Sequence, residues 1–499
     1  MNMTERLRLR LRLRLLTLLY VISCTILNTW SVVRASTSQD HLTSGFKATP
    51  NPAVSTFQPI LTDSTGNYSL GFLRLNKTQL TLAVVHVLSS ETIWHANITR
   101  LPGWSDPTQL TFNGSLVVSD PRSGVFWSTY TDGDRVWLSN TSNLQVETSD
   151  GSALWQSFDF PTDTLVENQN FTSKMSLVSS NGIYSMRLGQ DFMGLYAKFK
   201  SGSDPGQIYL KRRAMQAKAE IVQGQPIYAV VESDGFLGMY QNGTTPVDVQ
   251  SFSSYQQPVS GVRRVRMETD GNLKGYFWTG SSWILDYQAV SDPCELPCSC
   301  GPYGLCQPGK GCGCLNNNET EPQTGRCVSP GNHNLVDFCS AYDNKYKALR
   351  SSGVDLPYKE LMGYQIMENF QECENACERN CTCWGAVYRN TSGFCYILDY
   401  PIQTLVRVAD ESKMGYFKVS EGVGKGKMDV GVGVGVGVLC GAILVIGGGL
   451  VGYGWYRMRR GKQRGVSGYV KEEGIIGGGV GPYKDLGAAS FRSVELSAR

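Results

Sequence analysis

Residues 154–165 read Leu154-Trp155-Gln156-Ser157-Phe158-Asp159-Phe160-Pro161-Thr162-Asp163-Thr164-Leu165. On both sides of this stretch, from about residue 40 to residue 290, short apolar runs such as Leu80–Val85 and Val125–Trp127 alternate with Gly, Asn, Asp and Pro. Such runs recur roughly every 8–12 residues, which is typical of strands joined by turns. The pattern predicts an all-β region built as a sandwich, a barrel or a prism.

The same stretch resembles, almost residue for residue, the closing segment of the bulb-type (G-type, mannose-binding) lectin domain of plants. Ile93-Trp94-His95-Ala96-Asn97 resembles the W-x-A-N strand of that domain. The resemblance covers about residues 45–170 and implies a β-prism of three small sheets around an apolar axis. We therefore expect a bulb-type lectin domain at residues 36–170.

In that family the mannose pocket is a strand reading Q-x-D-x-N-x-V-x-Y, whose alternation places five side chains on one face. Two stretches of the first domain keep the pattern only in part. The first keeps only its valine and comprises Thr111, Asn113, Ser115, Val117 and Ser119. The second keeps only its asparagine and comprises Ser139, Thr141, Asn143, Gln145 and Glu147. The departures argue against mannose binding by this domain in the family's manner.

Residues 171–290 continue the strand pattern and resemble the second lectin-like, S-locus glycoprotein region of plant receptors. The sugar motif is best kept here, with Asp, Asn and Tyr retained, by Glu268, Asp270, Asn272 and Tyr276. We predict these four residues as a carbohydrate site. The alternative is an ordinary hairpin turn, because Thr269-Asp270-Gly271-Asn272 is common turn chemistry.

Apart from Cys24 and Cys440, every cysteine lies between Cys294 and Cys395, which indicates an oxidising compartment. Residues 291–328 resemble the EGF-like module of S-locus receptors, and residues 329–420 resemble a plant PAN/apple domain of α+β type. We expect disulfides among Cys294, Cys300, Cys306, Cys312, Cys314, Cys327, Cys339, Cys373, Cys377, Cys381, Cys383 and Cys395. Cys298 is the thiol without a family partner, and it is either free or a bridge between two chains. Zinc bound through Cys312-x-Cys314 and Cys298-x-Cys300 is the rival interpretation, which the secretory context disfavours.

The two ends of the chain predict its topology. Residues 1–35 are typical of a signal peptide with a basic start and an apolar stretch, and the alternative is an uncleaved anchor. Residues 430–456 carry no charge and predict one transmembrane helix, followed by a basic cytoplasmic tail at 457–499. The Gly pairs of the predicted helix, for example Gly433 and Gly437, suggest a homodimer, with a plain anchor as the alternative.

The sequons agree with a type I plasma-membrane protein whose N-terminal part is extracellular, because all of them precede the predicted span. We expect glycans at Asn67, Asn76, Asn97, Asn113, Asn140, Asn170, Asn242, Asn318, Asn380 and Asn390. A net charge of +3 over 499 residues excludes a nucleic-acid partner, which needs a dense basic face. The composition, with only 4 His, indicates no metal site or cofactor.

The order of these modules is similar to that of the G-type lectin S-receptor-like kinases. The tail contains no H-R-D, D-F-G or V-A-I-K motif, so we predict a receptor-like glycoprotein that is not an enzyme. It would bind a glycan or a protein outside the cell and signal through a partner receptor kinase. The alternative is an adhesion or dimerisation scaffold without sugar affinity. A glycosidase using Asp159 and Asp163 is disfavoured, because both carboxylates belong to the lectin closing segment.

Overall fold

The computed structural model describes residues 40–105, 107–200, 202–216, 218–259, 261–315, 326–327, 338–339 and 346–420. All of them belong to one compact unit that ends at Gly422. The predicted signal peptide, transmembrane helix and cytoplasmic tail lie outside these residues. Within them, no helix has both the length and the apolar character needed to cross a bilayer.

The first lectin-type unit consists of three four-stranded antiparallel sheets, β1-β10-β11-β12, β2-β7-β8-β9 and β3-β4-β5-β6. Its strands are β1 (His41–Thr43), β2 (Phe46–Ala48), β3 (Phe57–Thr62), β4 (Tyr68–Arg74), β5 (Leu80–His86), β6 (Glu91–His95), β7 (Gln109–Asn113), β8 (Ser115–Asp120), β9 (Gly124–Ser128), β10 (Arg135–Leu138), β11 (Leu144–Glu147) and β12 (Ala153–Gln156). Each sheet turns one side of its strands inward, and residues such as Leu70, Leu110 and Val136 meet in a single buried core. In β7, β8 and β10 the side chains at alternate positions face outward, whereas β5 is buried along its whole length.

The second lectin-type unit repeats this topology in the sheets β13-β22-β23-β24, β14-β19-β20-β21 and β15-β16-β17-β18. Its strands are β13 (Thr164–Val166), β14 (Phe171–Thr172), β15 (Leu177–Val178), β16 (Tyr184–Leu188), β17 (Phe192–Ala197), β18 (Gln207–Arg213), β19 (Tyr228–Glu232), β20 (Phe236–Tyr240), β21 (Asp248–Ser251), β22 (Arg263–Met267), β23 (Leu273–Trp278) and β24 (Trp283–Gln288). In each unit the first strand joins the last three strands in one sheet. Equivalent positions of the two units can therefore be compared strand by strand.

The strand β13 connects the two units. It pairs with β22 of the second unit, although it precedes the boundary expected at residue 170. Leu165 packs into the second core and Val166 into the first. Alternation along one short strand thus anchors it in both cores, which makes the junction stiff.

The cysteine-rich part contains β25 (Gly304–Gln307), β26 (Gly311–Cys314), β27 (Tyr346–Ser352), β28 (Val354–Asp355), β29 (Gln365–Ile366), β30 (Gly385–Arg389), β31 (Phe394–Leu398), β32 (Leu405–Arg407), β33 (Lys413–Ser420) and α1 (Phe370–Arg379). Short 3-10 helices lie at Ser157–Asp159, Pro293–Glu295 and Lys359–Leu361. The two sheets run β26-β25-β32-β28 and β27-β33-β30-β31-β29. Because β25 pairs in parallel with β32, the two predicted small modules share a sheet.

The helix α1 is held at both ends. The Asn369 side chain caps its start by accepting a hydrogen bond of 3.0 Å from the Glu372 N–H. At its C-terminal end, the buried Lys418 ammonium donates 3.0 Å hydrogen bonds to the carbonyls of Cys377 and Asn380. A cation suits the negative end of a helix, so this buried charge stabilises the PAN-like region.

Every cysteine predicted to form a disulfide is paired in the structure. The bridges join Cys294–Cys306, Cys300–Cys312, Cys314–Cys327, Cys339–Cys381, Cys373–Cys395 and Cys377–Cys383. Cys300, Cys312 and Cys314 each form a disulfide, which contradicts the zinc interpretation. Cys298 is a free thiol whose Sγ donates to Gln403 Oε1 at 2.9 Å, and burial raises its pKa.

Candidate functional site

The four residues predicted to bind sugar lie on a hairpin rather than on one strand. β22 ends at Met267, and β23 begins at Leu273. The Glu268 N–H donates to the Asn272 carbonyl at 2.9 Å and closes the turn between them. Gly271 has a φ of 89°, a backbone angle that side chains disfavour. The alternative interpretation, a hairpin turn, describes this segment.

The Asn272 side chain is committed to the fold. Its Nδ2 donates to the Val290 carbonyl at 2.7 Å, and its Oδ1 accepts from the Val290 N–H at 3.0 Å. The residue is 3% exposed. A buried amide with these bonds satisfied ties the hairpin to the segment after β24, and it offers little to a ligand.

The other three predicted residues make short contacts of their own. Tyr276 Oη donates to Glu268 Oε1 at 2.8 Å, and burial followed by this hydrogen bond raises the tyrosine pKa. Asp270 Oδ2 accepts from Lys274 Nζ at 2.6 Å. The structure therefore brings Glu268 and Tyr276 together and places Asp270 at the exposed turn beside Lys274.

The outer face of this hairpin is covered by the first lectin-type unit. Arg264 and Arg266 each reach the Glu91 carboxylate at 2.8 Å, and Arg266 also donates to the Thr92 carbonyl at 2.7 Å. Arg264 lies 4.0 Å from the centre of the Trp283 ring, and its side chain is only 3% exposed. Burial acts to raise the pKa of Glu91, but the two guanidinium groups outweigh it and hold that pKa below its ordinary value.

The first unit contains the equivalent hairpin, formed by β10 and β11. Here the Ser139 N–H donates to the Asn143 carbonyl at 2.9 Å, as Glu268 does to Asn272. Asn143 is also buried, and its Nδ2 donates to Gln156 Oε1 at 2.9 Å. The asparagine kept from the sugar motif thus has a structural role in both units.

The two hairpins can be aligned at the hydrogen bond that closes each turn. In this alignment Arg135 corresponds to Arg264, Trp137 to Arg266 and Glu147 to Tyr276. Arg135 Nε donates to one oxygen of Glu147 at 2.9 Å, and the Trp137 indole N–H donates to the other. Arg135 is 43% exposed, so this face is open where its counterpart is covered.

A cavity of about 300 Å³ lies on the open face, lined by Asp40, His41, Arg135, Trp137, Glu147 and Gly151. Sequence reasoning missed Arg135 and Trp137, because the family motif begins after them at Ser139. The alternation Arg135-Val136-Trp137-Leu138, with apolar residues at every second position, was the signal that could have placed them on the outer face.

The described sequon asparagines are exposed, apart from Asn67, which is half-buried, and Asn318 lies outside the described residues. Asn113 accepts a hydrogen bond from Ser44 Oγ at 2.5 Å beside the β7–β8 turn. In the described part of the chain, no group of three or more His, Cys, Asp and Glu is placed to hold a metal ion.

Comparisons with known proteins place the chain in a family. The model of the D-mannose binding lectin family matches residues 67–187, and the model of the S-locus glycoprotein domain matches residues 229–321. A PAN domain-containing protein of Arabidopsis thaliana is 48% identical over 483 residues, which are 97% of this chain and 97% of that protein.

More distant relatives from Arabidopsis thaliana share part of this arrangement. A G-type lectin S-receptor-like serine/threonine-protein kinase is 28% identical over 69% of this chain, and the match spans 41% of the kinase. EP1-like glycoprotein 3 is 26% identical over 74% of this chain and 87% of its own length. The chain therefore belongs to the family of the PAN domain-containing protein of Arabidopsis thaliana, and it carries matches to the D-mannose binding lectin and S-locus glycoprotein domains.

Proposed function

We propose that this chain is a cell-surface receptor-like glycoprotein without enzymatic activity, whose lectin-type units bind a glycan. The observation that carries the proposal is the repeated scaffold of three four-stranded sheets around one core. This scaffold supports assigning the β-prism architecture to both units. It also leaves polar side chains on the outer face of the β10–β11 hairpin of the first unit, where a hydroxyl-rich ligand would be accessible.

The rest of the receptor assignment builds on the sequence. We propose a signal peptide at 1–35, EGF-like and PAN modules outside the cell, one span at 430–456 and a cytoplasmic tail. We propose that the signal passes to a partner receptor kinase in the membrane, with dimerisation through the Gly-rich span. The matched lectin family suggests a mannose-containing glycan as the first ligand to test.

An adhesion scaffold without sugar affinity is the second candidate, favoured by one feature. The second unit and the PAN-like region are packed together, with the Phe199 and Tyr400 rings stacked at 5.1 Å and Tyr358 buried in the core of the second unit. A rigid assembly of this kind suits protein contacts as well as glycan contacts.

The experiment that separates the two is a glycan array probed with the purified full chain, before and after enzymatic removal of its N-glycans. Binding to defined glycans in either form supports the lectin function. Binding that appears only after deglycosylation identifies a self-blocked surface, with Asn113→Gln as the variant that tests its source. A folded chain that binds no glycan in either form contradicts the proposal and favours the scaffold.

A further inference from the structure

We infer that the open edge of β24 and the cavity beside it bind an uncharged, extended segment of a partner protein, which adds to the sheet as a further strand. The edge belongs to the second lectin-type unit. The cavity lies at the end of β23 opposite to the turn that contains Asp270 and Gly271. Binding at this edge does not depend on glycan binding by the chain.

β24 is the outermost strand of the sheet β13-β22-β23-β24, so among the described strands it is paired on one side only. The turn before it is closed by the Thr279 N–H, which donates to the Ser282 carbonyl at 3.0 Å. Hydrogen-bonded and non-bonded pairs alternate along an antiparallel ladder, so the backbone groups of Trp283 and Leu285 point to the open edge. Unpaired groups of this kind are a template for another strand.

The side chains at this edge are apolar and exposed. Ile284 is 42% exposed and Leu285 is 49% exposed. Natural proteins protect an open edge with charged residues, proline or bulges. The one charged residue of β24, Asp286, is buried, and the bulge in the ladder lies at Asp286, after the two apolar residues. Residues 283–285 therefore lack the usual protection against strand addition.

A cavity of about 440 Å³ lies beside the edge. It is lined by Phe277, Ile284 and Leu285 of the sheet, and by Pro258 and Val259 of the segment that follows β21. The volume falls within the range of protein pockets that accept ligands. When a strand is added to a sheet, backbone hydrogen bonds supply affinity, and pockets of this kind select the side chains that alternate along the added strand.

The charge of the cavity indicates an uncharged partner. Among the described residues that line it, only Asp286 is charged. Its Oδ2 accepts hydrogen bonds from Arg263 Nη1 at 2.7 Å and from Ser254 Oγ at 2.5 Å, and the two charged side chains are 2% and 1% exposed. A charged side chain of a partner would lose water here without meeting a free opposite charge, which is unfavourable. Aliphatic side chains carry no such cost.

The segment after β21 is fastened to the same strand. The Ser253 N–H donates to the Asp286 carbonyl at 2.8 Å, and the Ser254 N–H donates to the Asp286 carboxylate at 2.8 Å. These bonds close the edge at Asp286, so a rigid second copy of the chain could share only residues 283–285. A flexible segment can pair with those residues and also enter the cavity. Because the cavity is preformed, less free energy is lost in ordering it.

The first measurement selects binders from a phage-displayed library of random heptapeptides on the immobilised full chain. Leu285→Lys, which charges the open edge, is screened in parallel. We expect the wild type to enrich uncharged peptides with aliphatic side chains at alternate positions, and the variant to lose this enrichment. Val222→Lys adds the same charge at another exposed position of the same unit, outside the cavity lining, and should keep it.

Two precautions keep the screen interpretable. The chain is screened before and after enzymatic removal of its N-glycans, so that a glycan at Asn170 or Asn242 cannot hide the edge. Thermal melting identifies variants that are folded. If Leu285→Lys does not fold, Leu285→Thr replaces it, because threonine favours strands but removes the aliphatic side chain.

The second measurement tests whether the peptide binds as a strand. An enriched peptide is synthesised and titrated by calorimetry in two forms, each N-methylated at one of the two sets of alternate residues. Methylation of the set that faces β24 removes the donated hydrogen bonds and should weaken binding by about tenfold or more. Methylation of the set that faces solvent is the control and should weaken binding by about twofold or less.

Three results would overturn the inference. The folded wild type enriches no peptide that the Leu285 variant loses, which shows that the edge does not bind extended segments. The two methylated peptides bind equally well, which shows an apolar pocket without strand addition. The wild type is a dimer and the Leu285 variant a monomer in sedimentation, which shows that a second copy occupies the edge. The glycan array is a separate readout, so failure of the glycan proposal is recognised independently.

Discussion

The hairpins β10–β11 and β22–β23 share a topology, a closing hydrogen bond and a buried asparagine, yet their outer faces differ. On the second unit, Arg264 and Arg266 form ion pairs with Glu91 and are largely buried at the junction between the lectin-type units. On the first unit, Trp137 and Glu147 take the equivalent positions beside Arg135, and no described part of the chain covers the face. The two units thus differ at two equivalent positions, with Trp137 in place of Arg266 and Glu147 in place of Tyr276. One face joins the two units, and the other is available to a ligand.

The comparison also shows which part of the sugar motif is structural. Asn143 and Asn272 both fasten their hairpin to the segment that follows the next strand. The outward positions around them carry different side chains in the two units. In this chain the motif asparagines Asn143 and Asn272 therefore stabilise a shared scaffold, and their presence does not indicate ligand binding.

The largest expected loss in the free energy of unfolding comes from replacing the buried asparagine of each hairpin. Asn272→Ala leaves the buried N–H and C=O of Val290 without partners, so we expect a loss of about 3 kcal/mol in the free energy of unfolding. Asn143→Ala should cost less, about 2 kcal/mol, because Gln156 and Phe158 are half-buried and the bonds that the Asn143 oxygen accepts from Ser157 and the Phe158 N–H are longer, at 3.3 and 3.2 Å. Urea unfolding followed by tryptophan fluorescence measures both. Equal and negligible losses would show that the asparagines do not hold the hairpins.

The next largest effect is expected at the equivalent arginines Arg264 and Arg135, whose replacement should change the free energy of unfolding by different amounts. Arg264→Met removes the ion pair with Glu91 and the contact with the Trp283 ring, and we expect a loss of about 2 kcal/mol. Arg135→Met breaks an ion pair whose arginine is 43% exposed, and it should cost less than about 1 kcal/mol. Parallel urea titrations of the two variants are the measurement. A larger loss for Arg135 would reverse the assignment of covered and open faces.

The covered face should also make stability depend on pH in two steps. Burial, and after it the charge of Arg264, lowers the pKa of His86 below its ordinary value of 6.5. As the pH falls through 6.5, the unfolded chain takes up a proton that the folded chain resists, so the free energy of unfolding decreases. The pKa of Glu91 is also lowered, so its contribution is present above 4.5 and is lost as the pH falls below that value.

Chemical unfolding at several pH values between about 7.5 and 3.5 tests this dependence. His86→Phe should flatten the step below 6.5, and Glu91→Gln should flatten the step below 4.5. A wild-type stability that stays constant as the pH falls through 6.5 would contradict the first step.

The smallest expected effect is at Tyr276. Tyr276→Phe removes the hydrogen bond to Glu268 but keeps the ring beside Arg264, so the loss should be about 1 kcal/mol. The loss should fall within error in a chain that already carries Glu268→Ala, which removes the acceptor, if the two groups act as a pair. A double-mutant cycle by urea unfolding gives the coupling. A coupling near zero would show that the contact is incidental.

Much of the fold follows from local patterns that are visible in the chain. The strand spacing predicts the all-β region, and the clustered cysteines predict the disulfides and the extra thiol Cys298. The candidate site is harder to predict. The sugar motif predicts Glu268–Tyr276 as one strand, whereas Asp270 and Gly271 form a turn, because a period of two does not distinguish a strand from a tight hairpin. Trp137 and Arg135 lie outside the motif, so the motif does not predict them.

The sequence by itself determined the class of fold and the family, because strand periodicity and the segment Leu154–Leu165 are local properties. Only the tertiary structure decided which face of which hairpin is open. Glu91 and Arg264 are far apart in the chain, and whether they meet depends on how β13 anchors one unit on the other. Burial depends on how the whole molecule packs. Equivalent hairpins therefore contact the other unit in one case and border a cavity in the other.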